Sequence, residues 1–582
     1  MSFKALLVYP EMPPTFWSMK YALPFIGKKA SLPPLGLLTV AALLPREWDL
    51  TLVDMNVEPL TDAAVAGADI VFTSSMIVQK DSLERVVRLC KEHGRRVVAG
   101  GPFPTTSPER IEGVDHFVLN EAEITLAPFL RDFERGRAER IYSDPARPDI
   151  ALTPLPRFDL LRRGKYSSMA IQYSRGCPHS CEFCDIIELF GRTPRTKSPA
   201  QVLNEMSTLY EEGWRGSLFV VDDNFIGNKR EVRVLLPQIA SWQKERNYPF
   251  TLFTEATLDL AEDDGLMEGM VEAGFNMVFL GIETPDRCTL ESVGKRQNLR
   301  SDMLSSVRTI QDRGMEVAGG FVIGFDTDPE DIFDRQIRFI QDAAIPTAMV
   351  GLLTAIPNTR LYKRLAAEGR LTDESSGNNT HDLRLNFVPR MELRKLLAGY
   401  KRVLAEIYKP SLYFSRCLDL LRNLKIHRTS HRRVHAAEVR AFLLSLLVQT
   451  FSRYSWAYMG FLVKGFFARP RMVAETVTMA IKGHHYFKMT RNLLEVDRFK
   501  RSLDELAKSL DERVRTATTQ DLDRTLAELV AYRDRIAARM RRRYRRLNRD
   551  FRVYADEAIA SFQATIDQLV VARDPGTGRG GG

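Results

Sequence analysis

The sequence predicts an α/β protein with two successive parallel sheets and a mainly helical C-terminal region. Short apolar runs alternate with helical stretches in residues 1–143 and again in residues 168–390, whereas the sequence from residue 391 onward has helical patterning. Strands that alternate with helices are typical of parallel sheets with helices packed on their faces. A chain of 582 residues is too long for one core, so we expect about two to four domains.

The composition indicates a globular protein of a reducing compartment. Apolar residues make up 44% of the chain, and six cysteines, three of them clustered, argue against a disulfide scaffold. The first ten residues predict a buried strand and lack the layout of a signal peptide, so we expect a cytoplasmic protein. The net charge of +9 comes with basic residues concentrated after residue 400, which favours an anionic surface as partner.

Residues 1–143 have the pattern of a doubly wound, flavodoxin-like (Rossmann-like) sheet. The apolar runs at residues 3–9, 50–54, 70–73 and 96–100 predict strands, and residues 36–44 and 81–93 predict helices between them. Ligands of such sheets bind beyond the carboxyl ends of the strands. Small or polar residues that let a bulky ligand approach the backbone stand there: Ser74, Ser75, Gly100, Gly101 and Glu121.

A linker is predicted for residues 144–167. Four prolines between positions 145 and 156 preclude a regular helix or a central strand. The linker separates the first sheet from the second strand–helix region.

Three closely spaced cysteines follow the first predicted strand of the second region. Cys177, Cys181 and Cys184 form a C-x₃-C-x₂-C motif directly after residues 173–176. Three thiolates on one short loop can hold three corners of a [4Fe–4S] cluster, whereas tetrahedral zinc requires a fourth ligand. The other cysteines are scattered singly, at Cys90, Cys288 and Cys417. The motif therefore predicts a cluster with one iron open to a substrate or cofactor.

Residues 168–390 predict a partial (β/α)₆ TIM-type barrel. The predicted strands are residues 169–173, 217–222, 251–254, 277–282, 316–323 and 347–354. Chemistry in barrels of this kind takes place at the carboxyl ends of the strands.

The cysteine spacing and the residues at these strand ends resemble radical S-adenosylmethionine (SAM) enzymes. In that family the open iron binds SAM, and an electron from the cluster cleaves SAM to a 5′-deoxyadenosyl radical. The resemblance implies SAM contacts from Phe183, Asp222, Asp223, Glu283, Gly320, Ile323 and Gly324. Ordinary structural roles are the alternative, such as helix capping for the aspartates and tight turns for the glycines.

The first domain resembles the cobalamin-binding domain of B12-dependent radical SAM enzymes, and residues 32–36 match a segment common in that class. The resemblance implies that the strand-end residues from Ser74 to Glu121 contact cobalamin. Many cobalamin domains carry Asp-x-His-x-x-Gly, which this chain lacks, since residues 54–56 read Asp-Met-Asn. We expect the lower face of the cobalt to be open or otherwise occupied. The alternative is a degenerate domain that binds nothing.

Residues 185–197 are similar to a branch that includes the hopanoid C-2 methylases, and residues 466–471 and 480–487 resemble the C-terminal domain of that branch. The resemblance implies a cobalamin-dependent C-methyltransferase acting on an unactivated carbon of a lipid (hopanoid-like) substrate. It also implies an electron donor such as flavodoxin or ferredoxin. The alternative is a radical SAM enzyme of another reaction type, C–C coupling or cyclisation, with an empty or repurposed first domain.

Residues 391–496 predict a helical domain with an apolar and aromatic stretch from residue 441 to residue 467. Gln449, Arg453 and Lys464 interrupt the stretch and argue against a membrane span. A basic run precedes it, so it fits either a helix at the inner membrane surface or a buried hairpin over the barrel mouth. The helical spacing of His427, His431 and His435 indicates a basic surface more than a metal site.

Residues 497–582 predict a charged helical hairpin or coiled coil with a flexible glycine-rich tail. Apolar residues recur at helical spacing, at Leu522, Leu526, Leu529, Ile536, Met540, Tyr544, Leu547 and Phe551. The arginines at 539, 541–543, 545 and 546 are more typical of a solvated helix face than of a nucleic-acid interface.

Overall fold

The structure is a computed structural model that describes residues 3–372, 376–425, 436–516, 540 and 542–571. The chain forms two compact units, Met1–His485 and Tyr486–Gly582. The predictions for His427, His431 and His435, for the apolar residues from Leu522 to Ile536 and for the glycine-rich tail lie outside the described residues.

The first sheet has six parallel strands in the order β2-β1-β3-β4-β5-β6. Its strands are β1 Lys4–Tyr9, β2 Asp49–Asp54, β3 Ile70–Ser74, β4 Arg96–Gly100, β5 His116–Val118 and β6 Ile141–Tyr142. Its helices are α1 Leu35–Leu43, α2 Asp62–Ala66, α3 Lys80–Glu92, α4 Pro102–Thr106 and α5 Ala122–Glu134. The flavodoxin-like strand order confirms the predicted fold, and the short β5 and β6 are additions to the predicted strands.

Both faces of this sheet are buried, which explains why its strands are continuous apolar runs rather than alternating ones. From β1, Leu6 and Val8 pack on one side, while Ala5 and Leu7 pack on the other. The carboxyl edge is therefore the part of the sheet left for ligands.

The second sheet also has six parallel strands, in the order β14-β13-β12-β11-β10-β7, and a two-stranded antiparallel pair, β8-β9, accompanies it. The strands are β7 Ser168–Ile171, β8 Ser174–Arg175, β9 Arg195–Thr196, β10 Gly216–Val220, β11 Phe250–Ala256, β12 Phe275–Glu283, β13 Glu316–Ile323 and β14 Ala348–Leu352. The helices are α6 Ile186–Leu189, α7 Pro199–Glu211, α8 Lys229–Glu245, α9 Asp264–Glu272, α10 Arg287–Ser292, α11 Met303–Asp312, α12 Ile332–Asp342 and α13 Arg360–Ala367. The six predicted barrel strands are confirmed, with ends that differ by at most two residues.

Side chains alternate between the two faces of the barrel strands. In β11, Leu252 and Thr254 are fully buried beneath the helices, whereas Phe253 is only half-buried. Successive residues of a strand point to opposite faces, so Phe253 lies on the inner face. The half-buried side chains of this inner face line the lumen of the barrel.

The C-terminal region is helical, as predicted, and the described part of it contains no named strand. Its helices are α14 Leu393–Ile407, α15 Pro410–Asn423, α16 Ala436–Thr450, α17 Ser455–Ala468, α18 Val473–Thr516 and α19 Val553–Val571. Helices α16 and α17 form an antiparallel hairpin. Of the helices in the described ranges, none combines the length and the apolar character needed to cross a bilayer.

The second unit contains the end of α18, a helical stretch at residues 542–546 and α19. Leu503, Leu547 and Phe551 are buried, and the rings of Phe499 and Tyr544 lie 6.5 Å apart. The predicted hairpin or coiled coil stays a prediction, because most of residues 517–541 lie outside the described ranges.

Candidate active site

The three cysteines of the motif lie on one loop between β8 and β9. Gly176 begins this loop with a φ of 96°, and a Cβ there would lie 2.9 Å from the carbonyl oxygen of Gly191. The position therefore requires glycine. Cys181 is buried, and Cys177 and Cys184 are half-buried. The fold thus presents three thiols on a loop whose backbone is tightly fixed.

The thiols are close enough to affect one another. Burial raises the pKa of Cys177 and of Cys184, and the neighbouring Cys181 raises both further. Lys295 is a buried cation beside them. Burial lowers the pKa of Lys295, but Glu283 and then Cys181 raise it above its ordinary value. The thiolate is the form that binds metal, and a bound cation stabilises it. These closely spaced thiols therefore suit a cationic partner such as iron.

Among the described residues, no three His, Cys, Asp or Glu side chains converge as the ligands of a single metal ion do. The thiolates of a [4Fe–4S] cluster each bind a different iron, and three thiols on one short loop can supply three of these ligands.

Asp222 and Asp223, predicted as SAM contacts, fix the start of the cysteine loop. Asp222 is fully buried; its Oδ1 accepts the N–H of Tyr173 at 2.8 Å, and its Oδ2 accepts the N–H and hydroxyl of Ser174 at 2.8 and 2.6 Å. Asp223 Oδ2 accepts the N–H of Gly176 at 3.0 Å. Burial raises the pKa of Asp222 to about 7 and that of Asp223 to about 6. The structure therefore shows Asp222 as a positioning residue for the loop.

Glu283 ends β12 in the left-handed region, with a φ of 64°, and its Oε1 lies 2.5 Å from Lys295 Nζ. A Cβ at Gly281 would lie 2.6 Å from both of these atoms, so glycine there makes room for the ion pair. A non-glycine residue in this conformation stores strain that the surrounding contacts must balance. Sequence reasoning found Glu283 but missed Lys295, because no local pattern marks a lysine that joins the site through tertiary packing.

Two further segments hold the cysteine loop from outside it. Gln297 Nε2 lies 3.7 Å from Cys181 Sγ, within donor range for sulfur. At the start of α13, the N–H of Leu361 donates to the carbonyl oxygen of Glu182 at 3.0 Å, and Arg364 Nε lies 2.6 Å from Glu182 Oε1. The start of α13 thus contacts the loop. Asn358, just before this helix, adopts a φ of 70°.

A cavity of about 260 Å³ lies beside Phe183. Val293, Phe325 and Leu353 supply apolar walls, and Asp326 supplies a polar one. The structure therefore brings Phe183 to a space suited to a flat ring with polar edges.

The other predicted SAM contacts of this segment, Gly320 and Ile323 in β13 and Gly324 just after it, have surroundings different from those of Phe183. Ile323 is fully buried, and its carbonyl oxygen accepts the N–H of Leu353 at 2.8 Å. Gly324 has a φ of 111° and donates its N–H to Asp328 at 2.8 Å. Gly320 is on the inner face, where a Cβ would lie 2.8 Å from the ring of Phe279. Of these three predicted SAM contacts, only Gly320 faces the lumen.

Aromatic side chains line the lumen. The rings of Phe219 and Phe253 stack with centroids 4.6 Å apart and an interplanar angle of 4°. Phe279 follows on the next strand, and its ring centroid lies 4.9 Å from that of Trp17. Trp17 belongs to the segment between β1 and α1, so the first domain closes part of this apolar wall. Sequence reasoning missed these residues because buried parallel strands are apolar on both faces.

Glu255 is a carboxyl group on the same inner face, two residues after Phe253. Burial raises its pKa to about 8, and the charges of Asp223 and Asp222 raise it as well. At neutral pH this carboxyl is mostly protonated, so it can donate a hydrogen bond into the lumen.

The carboxyl edge of the first sheet carries the predicted cobalamin residues. A Cβ at Gly101 would lie 2.5 Å from Ser74 Oγ, and Gly101 has a φ of 93°, so the chain passes very close to β3 there. Among the described residues, the buried hydroxyls of Thr73 and Ser75 find no hydrogen-bond partner. Buried polar groups are nearly always satisfied, so these two fit a polar ligand at this edge.

Glu121 links the two domains. Its Oε2 lies 2.8 Å from Arg175 Nη1, and its Oε1 lies 2.7 Å from Arg195 Nη2. Arg175 also pairs with Glu123 at 2.8 Å. The carboxylate of Glu121 is thus occupied by two guanidinium groups of the barrel domain, and its contact with cobalamin stays a prediction.

The first domain offers no histidine at its carboxyl edge. Residues 1–143 contain only His93 and His116, which follow α3 and begin β5 on the amino side of the sheet. Asp54 is buried, accepts the hydroxyl of Tyr166 at 2.8 Å and accepts the N–H of Asn56 at 2.9 Å. The expectation that the lower face of the cobalt is open or otherwise occupied stays a prediction.

Three families match successive parts of the chain. Residues 29–130 match the B12 binding domain, residues 171–340 match the radical SAM superfamily, and residues 359–498 match a domain of unknown function. The expected order of the first two domains is thereby confirmed.

Curated relatives cover most of the chain. An uncharacterized methyltransferase of Synechocystis sp. is 48% identical over 415 residues, which are 71% of this chain and 77% of that protein. The hopanoid C-2 methylase of Rhodopseudomonas palustris is 34% identical over 451 residues, which are 76% of this chain and 84% of the methylase.

Solved structures share the fold. The cobalamin-dependent S-adenosylmethionine radical enzyme OxsB, with aqua-cobalamin and SAM bound, has a TM-score of 0.54 at 15% identity and covers 91% of this chain and 83% of its own. The radical SAM methyltransferase TsrM of Kitasatospora setae, with cobalamin and a [4Fe–4S] cluster, has a TM-score of 0.54 at 14% identity and covers 81% of this chain and 100% of its own.

Proposed function

The chain belongs to the cobalamin-dependent radical SAM methyltransferases, and from this premise we propose that it methylates an unactivated carbon of a lipid (hopanoid-like) substrate. Two observations support the substrate class. One is the similarity to the hopanoid C-2 methylase over most of both chains. The other, which carries the proposal, is the aromatic lumen formed by Phe219, Phe253, Phe279 and Trp17.

When bound, the cluster and SAM supply a deoxyadenosyl radical, and cobalamin supplies the methyl group. We assign Cys177, Cys181 and Cys184 as the cluster ligands, and Asp222 and Asp223 as the residues that keep the cysteine loop in place. The proposal for the cavity beside Phe183 is that it receives the adenine ring, since its walls combine apolar faces with the carboxylate of Asp326.

The lumen holds the substrate carbon and excludes water. Phe219, Phe253 and Phe279 offer ring faces to a hydrocarbon, and burying apolar surface stabilises by about 25 cal/mol per Å². Water exclusion also protects a radical from side reactions. Trp17 brings the first domain to the same wall, which suits transfer of a methyl group between the two domains.

Glu255 gives the lumen one polar anchor. Because its pKa is raised to about 8, the neutral carboxyl can donate to a hydroxyl or carbonyl oxygen of a mostly apolar substrate. Such an anchor fixes which carbon lies at the reacting position, and misplacement by about 1 Å can cost about 100-fold in rate.

The partners in this proposal are an electron donor such as flavodoxin or ferredoxin and the inner face of a membrane that supplies the lipid, with the protein on the cytoplasmic side. The net charge of +9 supports attraction to an acidic electron carrier and to anionic lipid.

The test is an anaerobic assay of the reconstituted enzyme with SAM carrying an isotope-labelled methyl group and a bacterial lipid extract. We expect 5′-deoxyadenosine and a lipid that carries the labelled methyl group, as measured by mass spectrometry. Cys181→Ala should abolish both products, and the exposed Cys288→Ala serves as the matched control that keeps both. Formation of 5′-deoxyadenosine without any methylated lipid would contradict the proposed substrate class.

A further inference from the structure

Helix α17 exposes an apolar face. Trp456 is 91% exposed, Val463 is 49% exposed and Phe467 is 85% exposed. These residues and Met459 are spaced three or four positions apart, so they lie on one side of the helix. A helix at the surface of a globular protein ordinarily presents polar residues to water.

Helix α16 continues this face. Leu443 and Leu447 are 58% and 61% exposed, and Phe451, just after the helix, is 84% exposed. The exposed Thr450 Oγ1 lies 3.8 Å from Met459 Sδ, which brings the exposed sides of the two helices together. We call this surface the apolar face; it consists of Leu443, Leu447, Phe451, Trp456, Met459, Val463 and Phe467.

The hairpin buries polar residues together with apolar ones. Gln449 Nε2 donates to Ser445 Oγ at 2.8 Å, and Ser445 Oγ lies 3.0 Å from the Tyr458 hydroxyl. The buried side of α16 packs on Phe25 and Ile481, and Phe461 of α17 stacks on Phe414, within the same unit. Satisfied polar groups inside and large apolar groups outside indicate a surface selected for an apolar partner.

Charge identifies the partner. Residues 439–474 contain five basic residues and no acidic one: Arg440, Arg453, Lys464, Arg469 and Arg471. Basic residues around exposed tryptophan and phenylalanine are typical of helices that lie at the surface of an anionic bilayer. A protein partner of ordinary composition would not require this combination.

We propose that the apolar face inserts into the headgroup region of an anionic phospholipid bilayer and holds the enzyme where its lipid substrate is dissolved. The α16–α17 hairpin belongs to the segment that matches a domain of unknown function, so the proposal gives that segment a role. It rests on the proposed function only for the source of the substrate.

The test measures binding of the full-length, anaerobically purified protein to vesicles, without SAM. Vesicles of phosphatidylglycerol and phosphatidylcholine should pellet the protein, and vesicles of phosphatidylcholine alone should pellet much less. The triple variant Phe451→Ser, Trp456→Ser, Phe467→Ser should bind anionic vesicles more than about tenfold more weakly, because it removes three aromatic side chains that the bilayer would otherwise bury. Tryptophan emission should shift to the blue on vesicle binding, and Trp456→Ser should remove most of that shift.

The matched control is Leu152→Ser, Val234→Ser, Val388→Ser, which removes three exposed apolar side chains elsewhere and should bind vesicles like the unaltered protein. Equal vesicle binding by the two triple variants would overturn the proposal. So would a protein that is dimeric without vesicles, becomes monomeric in the first variant and ignores vesicles, because the face would then join two copies. SAM cleavage in detergent should be the same in the first variant as in the unaltered protein, so a failed methylation assay leaves this result intact.

Discussion

The cysteine loop and the carboxyl edge of the first sheet differ in whether their polar groups find hydrogen-bond or ion-pair partners within the chain. Asp222 accepts three hydrogen bonds from the loop, and Lys295 pairs with Glu283. At the first sheet, the buried hydroxyls of Thr73 and Ser75 find no partner among the described residues. The start of the loop is therefore pre-organised by the chain itself, and we propose that a ligand completes the sheet edge.

This difference predicts opposite responses to substitution. Changes around the loop should destabilise the fold and lower activity together, because the same contacts serve both. Changes at the sheet edge should weaken cobalamin binding while leaving the fold as stable as before, or more so. The following variants test each side.

The largest effect is expected for Lys295→Met. It leaves Glu283 buried and unpaired, and breaking a buried ion pair costs about 3–5 kcal/mol. Urea unfolding of the cluster-free protein should show a fall of that size in the free energy of unfolding. Lys91→Met is the control, because its ion pair with Asp115 is partly exposed and its loss should cost about 1 kcal/mol or less. Similar losses in the two variants would contradict a pre-organised loop.

The second-largest effect is expected for Asp222→Asn. The new side-chain amide would place an NH₂ donor against the backbone N–H of Tyr173 or Ser174. Two donors repel each other, so the start of the cysteine loop would move. We expect 5′-deoxyadenosine formation to fall by about 10- to 100-fold, the usual cost of losing a group that orients metal ligands. Iron content and circular dichroism separate this loss from unfolding. Asp81→Asn, at an exposed position of α3, should change neither activity nor iron content.

Thr73→Val tests the sheet edge with a side chain of the same shape. Removing a buried hydroxyl that has no partner should raise the free energy of unfolding of the cobalamin-free protein by about 1 kcal/mol. If the hydroxyl faces cobalamin, the dissociation constant for cobalamin should rise by about tenfold. Thr125→Val is the control, because that hydroxyl donates to the carbonyl oxygen of Glu121 at 3.1 Å and its loss should destabilise. If Thr73→Val lowers the free energy of unfolding instead, the Thr73 hydroxyl already has a hydrogen-bond partner in the ligand-free protein.

Sequence patterns predicted four strands of the first sheet, the six strands of the second sheet and the cysteine loop, because each rests on local signals. Apolar runs mark strands buried on both faces, and the spacing of Cys177, Cys181 and Cys184 alone indicates a cluster. Gly176 and Gly101 adopt positive φ values, a conformation that favours glycine, so the sequence itself marks these two positions.

The rest of the candidate site depends on tertiary packing. Nothing near Lys295 in the sequence signals its pairing with Glu283, because a turn and helix α10 separate the two residues. Glu121 stands at a strand end as predicted, but two arginines from the next domain occupy its carboxylate. The stacking of Phe219 and Phe253 was not predicted from the sequence. Both faces of these strands are apolar, so the sequence does not show which side chains point into the barrel.

Glu255, on the inner face of β11, gives a prediction that is confined to one range of pH. Burial raises its pKa from 4.5 to about 8 in the folded protein. Between these values the folded protein holds a proton that the unfolded chain has released, so stability falls as pH rises from about 4.5 to about 8. Glu255→Gln removes this fall.

Urea unfolding at a series of pH values should therefore give similar stabilities for the two proteins near pH 4.5 and an advantage for Glu255→Gln that grows up to pH 8. The advantage should exceed about 1 kcal/mol, roughly the equivalent of one pKa unit. Glu272→Gln, exposed on α9, is the control and should follow the unaltered protein. Parallel curves for Glu255→Gln and the unaltered protein would mean that the lumen keeps Glu255 ionised, and the proposed hydrogen-bond donor to the substrate would then be excluded.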